Sequence, residues 1–288
     1  MRTDEQMFDF ILQFAKEQET IRAVYMNGSR TNPNVPKDIL QDFDIVYVVT
    51  ETEPYLTDKR WISRFGEITV MQEPDAPGLF ASDHDPKEQY AFLMQFEDGN
   101  RIDLTLQTVE VCKRNYLQDK LTLPLLDKDH ILPQISPPSD VDYHVKKPTP
   151  VQFRGCCNEF WWVCPYMAKG LWRKEVLYAI DHLNFYIRPM LIQMLSWKVG
   201  IQTDFSISVG KNAKYLKQYL EPSIWKKLLN TYSDADEEHL WNALFAMCQL
   251  FSEIAQEVAD QLHFEYFWEE EQKTICHLKK LYHREIGQ

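Results

Sequence analysis

The spacing of apolar residues divides the chain into a first part of mixed period and a second part of helical period. After a polar start, Met7, Phe8, Ile11, Leu12 and Phe14 share one side of a helix seeded by Asp4. The period then shortens. Residues 21–26 read as a strand running into Gly28-Ser29, and residues 43–49 as a largely buried strand that begins at Asp42 and Asp44. Pro33 and Pro36 exclude a long helix between them. Further on, residues 90–96 and 101–106 flank Glu97-Asp98-Gly99-Asn100, whose Asp-Gly step predicts a hairpin. In the second of these strands Ile102, Leu104 and Leu106 take one face, which sends Asp103 and Thr105 to the other.

Residues 133–150 carry five prolines and few periodic apolar positions, as a linker or irregular crossing does. Everything beyond is helical in pattern, with helices expected over residues 151–171, 174–199, 212–220, 222–232, 237–264 and 268–285. Pro165 and Pro189 should kink or divide the first two. The expected class is α+β, with a mixed sheet and helices over residues 1–132, a linker over 133–150 and a helical bundle over 151–288, the substrate cleft lying between the two domains.

The candidate chemistry sits in the first domain. Gly28-Ser29-Arg30 is followed, after a spacer, by Asp42-Phe43-Asp44, and Asp103 lies on a later strand. Aspartates two apart on a strand face the same way, and a carboxylate from a neighbouring strand completes a cage of hard oxygens suited to Mg²⁺ and a nucleoside triphosphate. The glycine lets the chain turn with its amides exposed, so that a polyphosphate can be gripped there. An isolated Asp-x-Asp or Gly-Ser step usually marks only a strand end or a turn; the combination is what carries weight.

These residues resemble the nucleotidyltransferase superfamily related to polymerase beta. Within it they are most similar to the aminoglycoside 6-adenylyltransferases, the streptomycin adenylyltransferase group. The resemblance extends through Phe96 to Leu106, Leu125 to Asp129, Cys156 to Trp161, Lys169-Gly170-Leu171 and Ala179 to Asn184, and so covers almost the whole chain. It implies a polymerase-beta-like nucleotidyltransferase domain followed by an all-α domain, and transfer of AMP from ATP to an aminoglycoside hydroxyl. The 6-position of streptomycin is the expected acceptor, with antibiotic resistance as the result. Asp42 and Asp44 would hold Mg²⁺, and Asp103 would act as general base or as a third metal ligand. Gly28, Ser29, Arg30, Lys169 and Lys211 would meet the nucleotide, Lys211 from a helix start. Glu159 and Asp181, read as buried or cleft acids among apolar neighbours, would pair with the cationic drug, although Arg188 or a cap could satisfy Asp181 instead.

Composition agrees. The formal net charge of -12 repels nucleic acid and favours a cationic substrate over a primer strand. No apolar run is long enough to span a membrane, the start lacks the apolar core of a signal peptide, and a cytoplasmic location is expected. The six cysteines show no CxxC spacing and read as buried reduced thiols, and the histidines contain no HExxH pair, so Mg²⁺ is the metal expected. Two other readings stand beside the first. One is a related enzyme acting on another small alcohol, such as a lincosamide or an endogenous metabolite, which would need the three aspartates but not Glu159 and Asp181. The other is a non-catalytic nucleotide-binding or toxin–antitoxin protein, which would be expected to lack one of the three.

Overall fold

Among the described residues six strands form one mixed sheet: β1 (Ile21–Asn27), β2 (Phe43–Val49), β3 (Ile68–Gln72), β4 (Gln89–Phe96), β5 (Arg101–Thr108) and β6 (Thr122–Asp127), in the order β3-β4-β5-β2-β1-β6. The computed structural model describes residues 1–78 and 82–286. Its chain divides into two compact units, Met1–Asp142 and Tyr143–Gln288, and the sheet belongs to the first. The central β2 and β5 run parallel, and the remaining neighbours pair antiparallel.

Alternation along the strands decides which side chains meet. The helix α1 (Asp4–Glu17) is held at its start by a capping box between Thr3 and Gln6. It packs Met7, Ile11 and Phe14 against Val24, Ile45, Tyr47, Phe92 and Leu104. After β2 come the short α2 (Glu53–Thr57) and a 3-10 segment, Lys59–Phe65, whose Ile62 and Phe65 join the same core. The opposite face carries a smaller cluster, Ala23, Tyr25, Val46 and Val48 with Cys112 and Tyr116 in and just beyond α3 (Val109–Asn115). Because Phe43 and Ile45 face α1, Asp44 must share the side of Val46 and Val48; Ile102 and Leu104 send Asp103 to that side too. The acids therefore stand at one end of the less covered face.

The proline-rich segment is tied to the first unit at several points. The Asp127 carboxylate accepts from the amides of Ile131 and Leu132 at 3.0 and 2.9 Å. Ile131, Leu132 and Ile135 pack on the smaller cluster. Asp140, buried, accepts from Asn34 Nδ2 at 2.9 Å and from Asn32 Nδ2 at 3.5 Å. An irregular strap of chain thus reaches the loop that follows Gly28-Ser29.

The second unit is helical throughout: α4 (Pro150–Trp172), α5 (Val176–Asp181), a π-helical stretch His182–Ile187, α6 (Arg188–Gln202), α7 (Leu216–Tyr219), α8 (Pro222–Leu229), α9 (Glu237–Leu262) and α10 (Trp268–Ile286). Its core joins Phe160 and Trp161 of α4 to Leu191 and Leu195 of α6 and Leu244, Phe251 and Ile254 of α9, with Phe160 stacked on Phe251 at 3.7 Å between centroids. An α+β architecture with a helical second half is what the apolar pattern implied.

The two prolines act differently, and one expected helix is missing. Pro165 lies inside α4 without dividing it. As expected, residues 174–199 are interrupted near Pro189: before this proline, which has no N–H to return to the carbonyl four residues back, the chain widens into the π-helical stretch. No helix fills residues 212–220. Asn212 and Ala213 adopt left-handed backbone, φ 54° and 57°, so a 3-10 turn at Lys211–Ala213 is followed only by the four residues of α7.

Candidate active site

Strand register brings the three predicted acids together. Asp44 of β2 is the direct partner of Asp103 on parallel β5 and of Asn27 on antiparallel β1, while Asp42 lies two residues before Asp44. Burial raises the Asp44 carboxyl to about 6, and repulsion from Asp103 and then Asp42 adds to the shift against the opposing pull of Arg101 and Arg30. Such crowding favours positive charge nearby.

The Gly28 turn closes over it. Gly28 has φ 79°, a conformation that side-chain-bearing residues rarely adopt, and a Cβ placed there would stand 2.0 Å from Asp44 Oδ2. Both constraints demand glycine. The chain then enters a 3-10 turn, Ser29–Thr31, whose closing bonds run from the Thr31 amide to Gly28 O and from the Asn32 amide to Ser29 O. The half-buried Ser29 hydroxyl has no hydrogen-bond partner among the described residues, and the Ser29 and Arg30 amides start the turn, where helical N–H groups lack carbonyls. These donors suit phosphate oxygens.

Arg30 faces the other way. It is buried, with Nη1 donating to Asp4 Oδ2 at 2.5 Å, Nη2 to Gln41 O at 2.7 Å and Nε to Asp42 O at 3.3 Å, and its guanidinium lies 3.8 Å from the Phe43 ring centroid. A guanidinium so engaged fastens the Gly-Ser turn to the segment that presents Asp42. The Arg30 side chain is thus taken up by the fold, and only its backbone amide remains at the start of the turn.

Arg101 is the residue that spacing alone did not single out. It sits two residues before Asp103, on the same side of β5, and its Nε and Nη2 donate to the two oxygens of Asp103 at 2.7 and 2.9 Å. The same Nε is 3.7 Å from Asp42 Oδ2. Among the described residues no three Asp, Glu, His or Cys side chains are gathered as a ready metal site. The donor chemistry nonetheless fits a hard divalent cation, because Asp44 is a desolvated carboxyl crowded by two others, a burden such an ion relieves.

In the second unit Glu159 and Asp181 are exposed rather than buried, which corrects the sequence expectation. The apolar neighbours of Glu159, Phe160 and Trp161, turn inward on α4, while Asn158, Glu159 and Trp162 turn outward. Arg188 does not satisfy Asp181: it donates to Asn184 Oδ1, Thr231 Oγ1 and Thr231 O. Neither acid has an ion-pair partner among the described residues.

Near these acids in sequence lies a set of partly exposed rings. Trp162, 63% exposed, neighbours Tyr166; Tyr166 stacks on His182 with an interplanar angle of 3°; and His182 also meets Tyr178 and Tyr186. Lys169 Nζ stands 4.6 Å over the Tyr166 ring. A groove of about 540 Å³ opens beside them between α4 and α10, lined by Trp162, Tyr166, Glu270 and His277 among others. Lys211 is exposed after Gly210, and the helix start expected to reinforce it is only a 3-10 turn with left-handed backbone at Asn212 and Ala213. Cys112, Cys156, Cys157, Cys164 and Cys248 are buried as expected, whereas Cys276 is exposed, which corrects the expectation for that thiol; burial pushes Cys156 up to about 12 and Cys112 up to about 11, leaving both protonated at neutral pH.

A glycine turn packed against carboxylates near the starts of neighbouring strands of a mixed sheet is the arrangement expected of a nucleotidyltransferase. The family model for streptomycin adenylyltransferase matches residues 1–281, and the chain belongs to that family. Aminoglycoside 6-adenylyltransferase of Campylobacter jejuni is 42% identical over 92% of this chain and 91% of its own. That of Bacillus subtilis strain 168 is 40% identical over 92% and 93%. A crystal structure of an aminoglycoside 6-adenyltransferase from Bacillus subtilis aligns with 98% of this chain and 99% of its own at 34% identity, with a TM-score of 0.49.

Proposed function

We propose that the protein transfers AMP from ATP to a hydroxyl of an aminoglycoside, the 6-hydroxyl of streptomycin's streptidine ring, with release of pyrophosphate and loss of antibiotic action. The observation that supports it most is the contact between the Gly28 turn and Asp44, which sets phosphate-binding donors directly against the carboxylate cluster. Asp42 and Asp44 would hold Mg²⁺, which supplies charge neutralisation on the triphosphate. The Ser29 hydroxyl and the Ser29 and Arg30 amides orient the phosphates. In the transfer, the acceptor oxygen bonds to the α-phosphorus, the bond from that phosphorus to the bridging oxygen of pyrophosphate breaks, and the hydroxyl proton passes to Asp103.

On the second unit, Lys169 and Lys211 offer positive charge to the nucleotide. Glu159 and Asp181 offer negative charge to the acceptor's guanidinium groups, and the exposed Trp162 and Tyr186 rings offer surface against which planar cations pack. The groove beside them has the size of small-molecule sites.

The test is mass spectrometry of streptomycin after incubation with the protein, ATP and Mg²⁺, with a lincosamide in parallel. Streptomycin should gain one AMP. An AMP adduct only on the lincosamide would shift the acceptor to another class of small alcohol, and no adduct on either would remove the aminoglycoside reading.

A further inference from the structure

Three carboxylates converge at the ends of β2 and β5, yet they are not left without a cation. Arg101 is the first residue of β5, directly after the hairpin in which Gly99 has φ 87°. Its backbone is fixed by pairing with Gln95 of β4, whereas its side chain is 41% exposed at the surface. The guanidinium engages Asp103 with a two-pronged fork at 2.7 and 2.9 Å and reaches to 3.7 Å from Asp42. Those are two of the three acids whose oxygens suit the divalent cation.

We propose that Arg101 is a resident counter-ion that occupies the carboxylate cluster in the metal-free protein and exchanges with the divalent cation. This rests on the assignment of Asp42 and Asp44 to the metal. The guanidinium's fork takes both oxygens of Asp103 and its charge lies 3.7 Å from Asp42, so a cation drawn to the same cluster meets a like charge there, each weakens the other's hold, and the coupling is reciprocal. Exchange differs from simple departure. If the guanidinium left with nothing in its place, Asp42, Asp44 and Asp103 would stand together with only the pull of Arg30 on Asp44 against their mutual repulsion. The long, flexible stem and outward position of Arg101 let it move into solvent, while β5 keeps Asp103 in register with Asp44. The consequence is a centre that remains folded without metal and binds free metal weakly.

The experiment compares the metal-free wild type with Arg101→Gln and Arg101→Lys. Mg²⁺ and Mn²⁺ are titrated calorimetrically without nucleotide, and thermal unfolding is followed with and without 10 mM Mg²⁺, an illustrative concentration of about the upper physiological scale chosen to load a weak site. Arg101→Gln should bind the metal about tenfold more tightly than wild type, in the range of ordinary site-to-site coupling. It should also unfold at a lower temperature than wild type without metal and regain the difference with Mg²⁺. Arg101→Lys, which keeps the charge but loses the fork, should fall between the two and serves if the glutamine variant does not fold. Unchanged or weaker metal binding in both variants overturns the exchange, as does a metal-free Arg101→Gln protein as stable as wild type. The underlying metal assignment fails separately, if wild type and an Asp42→Asn variant bind Mg²⁺ equally in the presence of a non-hydrolysable ATP analogue.

Discussion

The two units carry their charges in opposite ways. At the end of the sheet, register crowds Asp42, Asp44 and Asp103 together, and the crowding is answered by Arg101 and by a glycine turn with no room for a side chain. On the helical unit, Glu159 and Asp181 stand exposed with no ion-pair partner among the described residues, beside rings that are themselves partly exposed. The first arrangement is geometrically demanding, and small displacements should be felt strongly. The second is loose, and each of its groups should contribute a modest share.

The largest effects are therefore expected at the carboxylates. Asp42→Asn or Asp44→Asn should lower kcat/KM by at least about a thousandfold while leaving the fold intact, because cation stabilisation of a charged transition state is worth several kcal/mol. Activity within a few-fold of wild type at saturating Mg²⁺ would remove both residues from the catalytic machinery.

Two glycines sharpen the same contrast. Gly28→Ala puts a methyl group against Asp44 Oδ2 and forces a side chain into φ 79°, so activity should fall by about a hundredfold and stability by roughly 1–2 kcal/mol. Gly155, inside α4, has nothing within 4 Å of where its Cβ would be. Gly155→Ala should leave activity unchanged and raise stability by about 0.5–1 kcal/mol. Equal outcomes in the two variants, read by denaturant melts and steady-state kinetics, would mean that the turn is not held against the cluster.

Smaller losses are expected on the second unit. Glu159→Gln and Asp181→Asn each delete a charge at an exposed position, where an ion pair contributes up to about 1 kcal/mol, so streptomycin affinity should drop about two- to fivefold and ATP affinity should hold. Trp162→Ala should act on the drug to a similar extent. Titrations of streptomycin and ATP measured separately decide this, and full drug affinity in all three variants would place the acceptor elsewhere.

The contrast also explains which features the sequence disclosed. Period-two alternation was enough to send Asp44 and Asp103 to one face, because a strand has only two faces and the apolar residues claim one. The pairing of Arg101 with Asp103 follows the same alternation, but Arg101 opens the strand next to a hairpin turn, where a charged residue ordinarily faces water. Arg30 was harder. Its inward turn depends on Asp4, Gln41 and Asp42, which only the folded chain brings near. The exposure of Glu159 was present in the pattern, since Asn158, Trp162, Lys169 and Arg173 recur with it at helical spacing as an outward stripe, although its immediate neighbours are apolar. The loss of the helix after Lys211 was not legible, because left-handed backbone at Asn212 and Ala213 is set by the Gly210 turn, in which the Tyr215 amide bonds Val209 O at 2.9 Å.

A stability measurement tests the crowding without reference to catalysis. In the metal-free protein the Asp44 carboxyl titrates at about 6, above its ordinary 3.8, because burial and then Asp103 and Asp42 disfavour its charge. Between those two pH values the folded state holds a proton that the unfolded chain has released. Raising the pH through this window must therefore weaken the fold, and above it the loss is constant. The full shift corresponds to about 3 kcal/mol, and partial solvent access reduces it to on the order of 1–2 kcal/mol. Asp44→Asn has no such proton to lose, so the variant's melting temperature should match or trail that of wild type near pH 4 and exceed it by a few degrees near pH 8, both measured in chelator. Adding Mg²⁺ at pH 8 should narrow the gap by stabilising wild type alone. If the difference between the two proteins does not change with pH, the three acids are not crowded in solution, and the first unit's site is as loose as the second unit's face.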